Sequence, residues 1–157
     1  MCVHSSQIIC GIAESPNADE FELNILKTSS TDDGFLTQIH LRSGNRIQSI
    51  PLRQQCMSVV TWAELLYGVQ VSSMKKENRE AVDLLVRHVN VLEWPIKAAI
   101  HYADIRSDLK MKGQQIGAND LLIAAHARCR GAVIVTNNVK DFGRVKGLTL
   151  ENWMNPT

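Results

Sequence analysis

The chain has 157 residues, 17 Lys and Arg against 16 Asp and Glu, and a net charge of +1. That length fits one domain burying roughly two-thirds of the surface its unfolded chain exposes, and 45% hydrophobic with 21% charged residues excludes a disordered chain. A balance near zero excludes a polybasic tail, and 5% aromatic residues exclude a broad stacking platform for single strands.

Cys2, Cys10, Cys56 and Cys129 are scattered, with no Cys-x-x-Cys pair and no Cys/His spacing for zinc. They read as free thiols in a reducing compartment. No apolar run approaches the roughly 18 residues of a membrane span. The stretch Met1–Cys10 lacks the positive start of a secretory signal, so the expected location is cytoplasmic with no membrane partner.

From Met1 to about Gln55 the patterning is weak. Phe21–Leu26 alternates as a strand would, and Gly34 and Gly44 interrupt the stretch after it. From Cys56 onward, strand and helix signals alternate. Cys56–Thr61 is a short β-branched apolar run and reads as a buried strand, leading into a helix over Trp62–Gly68 that Gly68 ends. A helix over Glu77–His88 places Ala81, Leu84, Leu85 and His88 on one face. Val89–Trp94 reads as a strand stopped by Pro95. A long amphipathic helix comes next over Ile96–Lys112, with Ile96, Ala99, Ile100, Ala103 and Leu109 inward and Gly113 closing it. Asp120–Cys129 is an apolar helix ended by Gly131, and Ala132–Thr136 is a fully buried strand. Asn138–Phe142 reads as a helical turn and Leu148–Glu151 as a last edge strand. This alternation predicts an α/β fold, a parallel sheet covered by helices, with ligands at the carboxyl ends of its strands.

Neither Gly-x-Gly-x-x-Gly nor a Walker pattern is present, and Ser58 lies in no nucleophile elbow, so nucleotide binding and acyl transfer lack support. The chemistry-bearing residues are acids and amides at strand-to-helix junctions: Glu64, Asp120 and Asp141, with Thr136, Asn137 and Asn138. Each has a plainer explanation. Thr61-Trp-Ala-Glu64 fits a capping box. Asp120 suits the first turn of a helix capped by Asn119. Asn137 and Asn138 form turns readily, and Asp141 fits a solvated surface. Three acids at one sheet edge nonetheless repel one another, and a divalent cation is the usual compensation.

Three segments carry a resemblance. Met57-Ser-Val-Val-Thr-Trp-Ala-Glu-Leu-Leu-Tyr-Gly68 resembles the second-acid segment of the VapC toxins, a branch of the PIN-domain ribonucleases. Lys112-Gly-Gln-Gln-Ile-Gly-Ala-Asn-Asp-Leu-Leu-Ile-Ala-Ala-His-Ala127 is similar to the third-acid segment. Val133-Ile-Val-Thr-Asn-Asn-Val-Lys-Asp-Phe142, with Leu148–Trp153 after it, matches the closing strand, the fourth-acid region and the C-terminal signature. The resemblance spans Arg46 to Trp153. It implies a three-layer PIN-like domain over residues 21–157 with a mostly parallel central sheet, preceded over residues 1–20 by an atypical extension that need not be ordered.

It also implies a cytosolic endoribonuclease dependent on Mg²⁺ or Mn²⁺, of the branch that cuts initiator transfer RNA. Glu64, Asp120 and Asp141 would be metal-site acids, with Thr136, Asn137 and Asn138 in support. Arg106, Lys110, Lys112 and Lys140 are candidates for RNA phosphates. The implied partners are a second copy of the chain and a VapB-like antitoxin, through which alone operator DNA would be reached.

One departure stands out. The family's first strand ends in Leu-Asp-Thr-Asn, and its nearest counterpart here is Ile25-Leu-Lys-Thr-Ser29, which puts Lys27 in the place of the first acid. A protonated lysine cannot ligate a metal. The expectation is therefore weak metal binding and slow cleavage, with Asp32 or Asp33 as substitute ligands; the competing reading is an inactive module that binds antitoxin and RNA.

Overall fold

Cys56-Met-Ser is a fully buried apolar run, too short for anything but a strand flanked on both sides, and in the computed structural model it forms β2 (Cys56–Ser58). The structure describes residues 8–10 (backbone), 56–87 and 89–152. In chain order the elements are β1 (Ile8–Cys10), β2, α1 (Val59–Val71), α2 (Lys75–Val86), β3 (Asn90–Leu92), α3 (Ala98–Met111), α4 (Ala118–Arg130), β4 (Val133–Thr136), α5 (Val139–Phe142) and β5 (Thr149–Glu151).

Both crossovers return in parallel, as helical connections between strands dictate. β2 pairs with β3 with Met57 opposite Val91, and β4 pairs with β5 with Ile134 opposite Leu150. β1 pairs with β4 antiparallel, Ile9 opposite Val135, and also lies close to β2. The sheet is mostly parallel, as the alternation requires, with β1 as its antiparallel member.

The core gathers on α4, where Ile123, Ala124, Ala125 and Ala127 are wholly buried. Alanine and a single large residue let α3 and β4 approach the helix closely on different sides. Met57, Ile105, Leu109, Ile134 and Phe142 fill the remaining space. Trp94 is tied to the same helix, its indole N–H donating to the Leu122 carbonyl at 3.0 Å. α3 and α4 end as their sequences predict, with Gly113 and Gly131 at φ 63° and 67°, where a Cβ would be strained. Cys56 and Cys129 form no disulfide. Among the described residues no helix is long and apolar enough to cross a membrane.

Three expectations about the elements need correction. The strand at Cys56 stops at Ser58, because the Ser58 hydroxyl accepts from the Val60 N–H and starts α1 there; the helix then continues through Gly68 to Val71. On α2 the inward residues are Val82 and Leu85, whereas Leu84 is 45% exposed and Ala81 half-buried; His88 lies outside the described side chains. On α3 the buried residues are Ala98, Ile105 and Leu109, while Ile96, Ala99, Ile100 and Ala103 face outward. This helix offers two apolar stripes, and a polar clamp selects between them. Arg128 of α4 donates to the His101 ring at 3.1 Å and its carbonyl at 3.0 Å, and pairs with Asp104 at 2.6 Å.

Candidate acidic site

The corrected start of α1 changes the meaning of Glu64. With Ser58 as the cap, Thr61 is the third helical residue, and Glu64 is too far along to close a capping box. Its Oε1 instead accepts a hydrogen bond at 3.0 Å from the side-chain amide of Asn119. Asn119 is likewise no cap, since α4 is capped at Gly117, without a side-chain bond. The plainer explanations of these two residues both fall, and their contact brings the Glu64 carboxylate to the end of α4 that carries Asp120.

Asp120 sits in the first turn of α4, where the helix dipole favours an anion. It is only 6% exposed. Its Oδ2 lies over Gly117, where an added Cβ would stand 3.1 Å away. The backbone at Gly117 is ordinary, with φ −56° and ψ 151°, so the glycine supplies space for the carboxylate rather than a special conformation.

Asp141 belongs to a different local network. Its Oδ2 accepts from the Asn138 side-chain amide at 3.1 Å, and its Oδ1 pairs with Arg144 at 3.1 Å. Arg144 also reaches the Gln115 carbonyl at 3.4 Å, which ties α5 to the loop before α4. Upstream, the buried Thr136 hydroxyl accepts from the Asn138 N–H at 2.9 Å and turns the chain at the end of β4; Asn137 is exposed.

Glu64 and Asp120 are thus associated through Asn119, while the charge of Asp141 is matched by Arg144. Among the described residues, no three His, Cys, Asp or Glu side chains stand together as a cation cage. Lys27, Asp32 and Asp33 lie outside the described residues. Hard carboxylate oxygens suit Mg²⁺ or Mn²⁺, and an ion of this kind can be held by one or two carboxylates with water and phosphate oxygens completing its shell. Glu64 and Asp120 fit that donor set; Asp141 fits it less well.

The basic candidates divide in the same way. Arg106 donates to the Tyr102 hydroxyl at 2.9 Å, and its guanidinium lies 5.7 Å from that ring. Lys112 is paired with Asp108, a hydrogen bond that holds the Asp108 carboxyl below its ordinary range. Lys110 and Lys140 extend into solvent.

Sequence reasoning missed one feature. Ser58, set aside as a nucleophile, is wholly buried, and its Oγ lies 2.9 Å from Nδ1 of the equally buried His126 on α4. The His126 Nε2 has no hydrogen-bond partner among the described residues. Burial, and secondarily the nearby Arg130 charge, pushes this imidazole down to about 4. A serine directly before a helical run was the available signal for the cap; nothing in sequence pointed to its histidine partner.

A family model for PIN domains matches residues 36–148. Ribonuclease VapC2 of Rickettsia felis is 41% identical over 97 residues, which cover 62% of this chain and 72% of that protein. The tRNA(fMet)-specific endonuclease VapC of Shigella flexneri is 42% identical over 100 residues, covering 64% and 76%. Among solved structures, VapBC2 from Rickettsia felis bound to a promoter DNA fragment superposes with a TM-score of 0.64 at 37% identity, over 69% of this chain and 83% of that one. VapBC-1 from nontypeable Haemophilus influenzae gives 0.69 at 34% identity, over 76% and 90%.

Proposed function

The chain belongs to the PIN-domain family, in its VapC branch, and from that premise we propose that it is the ribonuclease of a toxin–antitoxin pair, cutting transfer RNA by hydrolysis of a phosphodiester. The observation that carries the reading for this particular chain is the Glu64–Asn119 hydrogen bond. It leaves two carboxylates at the start of α4 with no structural duty as caps.

A divalent ion, when bound, would polarise a phosphate oxygen and lower the pKa of an attacking water. Glu64 and Asp120 would hold it. Asn119 fixes the rotamer of Glu64, and Gly117 leaves room for the Asp120 carboxylate. Thr136 and Asn138 shape the end of β4, and Asn138 and Arg144 orient Asp141 towards the loop that precedes α4. Lys110 and Lys140 are the basic residues best placed to meet phosphates, because Arg106 and Lys112 are already engaged. β1 lies next to β4 and contributes Ile8, Ile9 and Cys10, none of which can supply a carboxylate. The site therefore works with few acids, and its metal affinity and turnover are low.

We assign the protein a VapB-like antitoxin as partner, in line with the VapBC complexes it resembles, and place it in the cytoplasm. With a net charge of +1 it would reach operator DNA through that partner. A homodimer is supported by the outer face of α3 and the turn before it, where Ile96, Ile100 and Met111 are 92%, 75% and 79% exposed. Apolar exposure of that extent along one helix suits a permanent contact. The test of the site is calorimetric titration with Mn²⁺. The wild type should bind weakly and Asp120→Ala not at all; equal binding by both would remove Asp120 from the site.

A further inference from the structure

We infer that the buried Ser58–His126 hydrogen bond is a positioning device for the acidic site, registering α1, which carries Glu64, against α4, which carries Asp120. The inference rests on the reading of those two acids as the working groups, and it assigns no chemistry to Ser58 or His126. Both are wholly buried, so neither can meet a substrate.

The geometry is that of a frame with two cross-ties. Ser58 precedes Glu64, and His126 follows Asp120, by the same number of residues, about 9 Å along each helix. At one level Asn119 of α4 donates to Glu64 of α1 at 3.0 Å, in an exposed setting. At the other, His126 of α4 meets Ser58 at 2.9 Å, in a dry one. A hydrogen bond shielded from water holds its geometry where an exposed one exchanges with solvent. The buried tie thus sets the relative height of the two helices, and the exposed tie only trims the Glu64 rotamer.

The hydroxyl serves both helices at once. Ser58 Oγ accepts from the Val60 N–H at 3.2 Å, which starts α1. A second position on the same oxygen remains for the imidazole, as acceptor of its Nδ1–H or donor to its bare Nδ1. Either way Nε2 stays buried without a partner among the described residues. An apolar side chain of similar bulk would avoid that penalty, so the one thing this histidine adds over an apolar residue is its bond to Ser58. Metal-site carboxylates need placement to within about 0.5 Å, which is what a short tie between rigid helices provides.

The test compares His126→Asn, His126→Leu and Ser58→Ala with the wild type. The Asn amide can occupy the place of Nδ1, whereas Leu fills the space without the bond. Hydrogen exchange of the amides at the starts of α1 and α4 is read together with the Mn²⁺ dissociation constant and with kcat and KM for transfer RNA. His126→Leu should speed exchange at the start of α1, on the other helix, by about tenfold. Ser58→Ala should do the same at the start of α4. Both should weaken Mn²⁺ binding several-fold and lower kcat about tenfold with KM unchanged. His126→Asn should restore all of these. Exchange effects confined to the mutated helix, or an Asn variant as impaired as the Leu variant, would overturn the inference. If the wild type neither binds Mn²⁺ nor cleaves RNA, the proposed function fails, and the cross-helix exchange still decides whether the tie exists. If the Leu variant does not fold, Ser58→Ala and His126→Asn decide it.

Discussion

Acidification should unfold this protein through one imidazole. His126 is buried and held at about 4 against an ordinary 6.5, first by loss of solvent and then by the Arg130 charge. Between those values the unfolded chain takes up a proton that the native state refuses, so stability rises with pH across that window. The contribution is fully present above 6.5, is lost as the pH falls towards 4, and changes no further below it. The whole window corresponds to ~3 kcal/mol at 1.36 kcal/mol per tenfold change in proton affinity, and going from about pH 7.5 to about pH 5 removes about 2 kcal/mol of it. Urea unfolding monitored by tryptophan fluorescence at those two pH values measures it. His126→Asn, which cannot titrate, serves as the reference that subtracts the carboxylates and the other histidines. The wild type should lose about 2 kcal/mol more than the variant. Equal losses would mean that the imidazole is not held neutral by burial.

Other perturbations act on the site and the surface. Gly117→Ala places a Cβ where it would crowd the Asp120 carboxylate at 3.1 Å; Mn²⁺ affinity by calorimetry should fall several-fold, while stability should change by less than about 1 kcal/mol because the backbone there is unstrained. Ile100→Asp, on the outer face of α3, should convert a dimer into a monomer in sedimentation velocity with the fold intact, as a desolvated carboxylate is not tolerated in an apolar contact. Lys27→Asp should raise Mn²⁺ affinity by restoring the acid that the family's first strand carries; an unchanged affinity would show that Ile25–Ser29 is not that strand.

The helices after Cys56 were legible because their caps and stops are local chemistry. Gly113 and Gly131 end α3 and α4 as their positions in sequence predict. The phase of α3 was not legible, because Ile96, Ala99, Ile100 and Ala103 form as good a stripe as the one that is buried. Only the Arg128 clamp on His101 and Asp104, a contact between distant segments, chooses between them. Glu64 and Asp120 could be named from sequence, but whether they were caps or site residues depended on Ser58 starting α1 earlier than the β-branched pair Val59-Val60 suggested. Asp141 illustrates the opposite case: its position was visible in sequence, while its pairing with Arg144 was visible only in three dimensions. The His126 partnership with Ser58 joins residues far apart in the chain, and periodicity carries no trace of it.

The measurement that bears most directly on the central claim is cleavage of transfer RNA with Mg²⁺ supplied, by the wild type, Glu64→Gln and Asp120→Asn, with each protein shown to be folded by circular dichroism. The account predicts slow cleavage by the wild type that stops when the ion is chelated and is abolished in both variants. Cleavage that survives chelation, or that proceeds unchanged in Asp120→Asn, would contradict it.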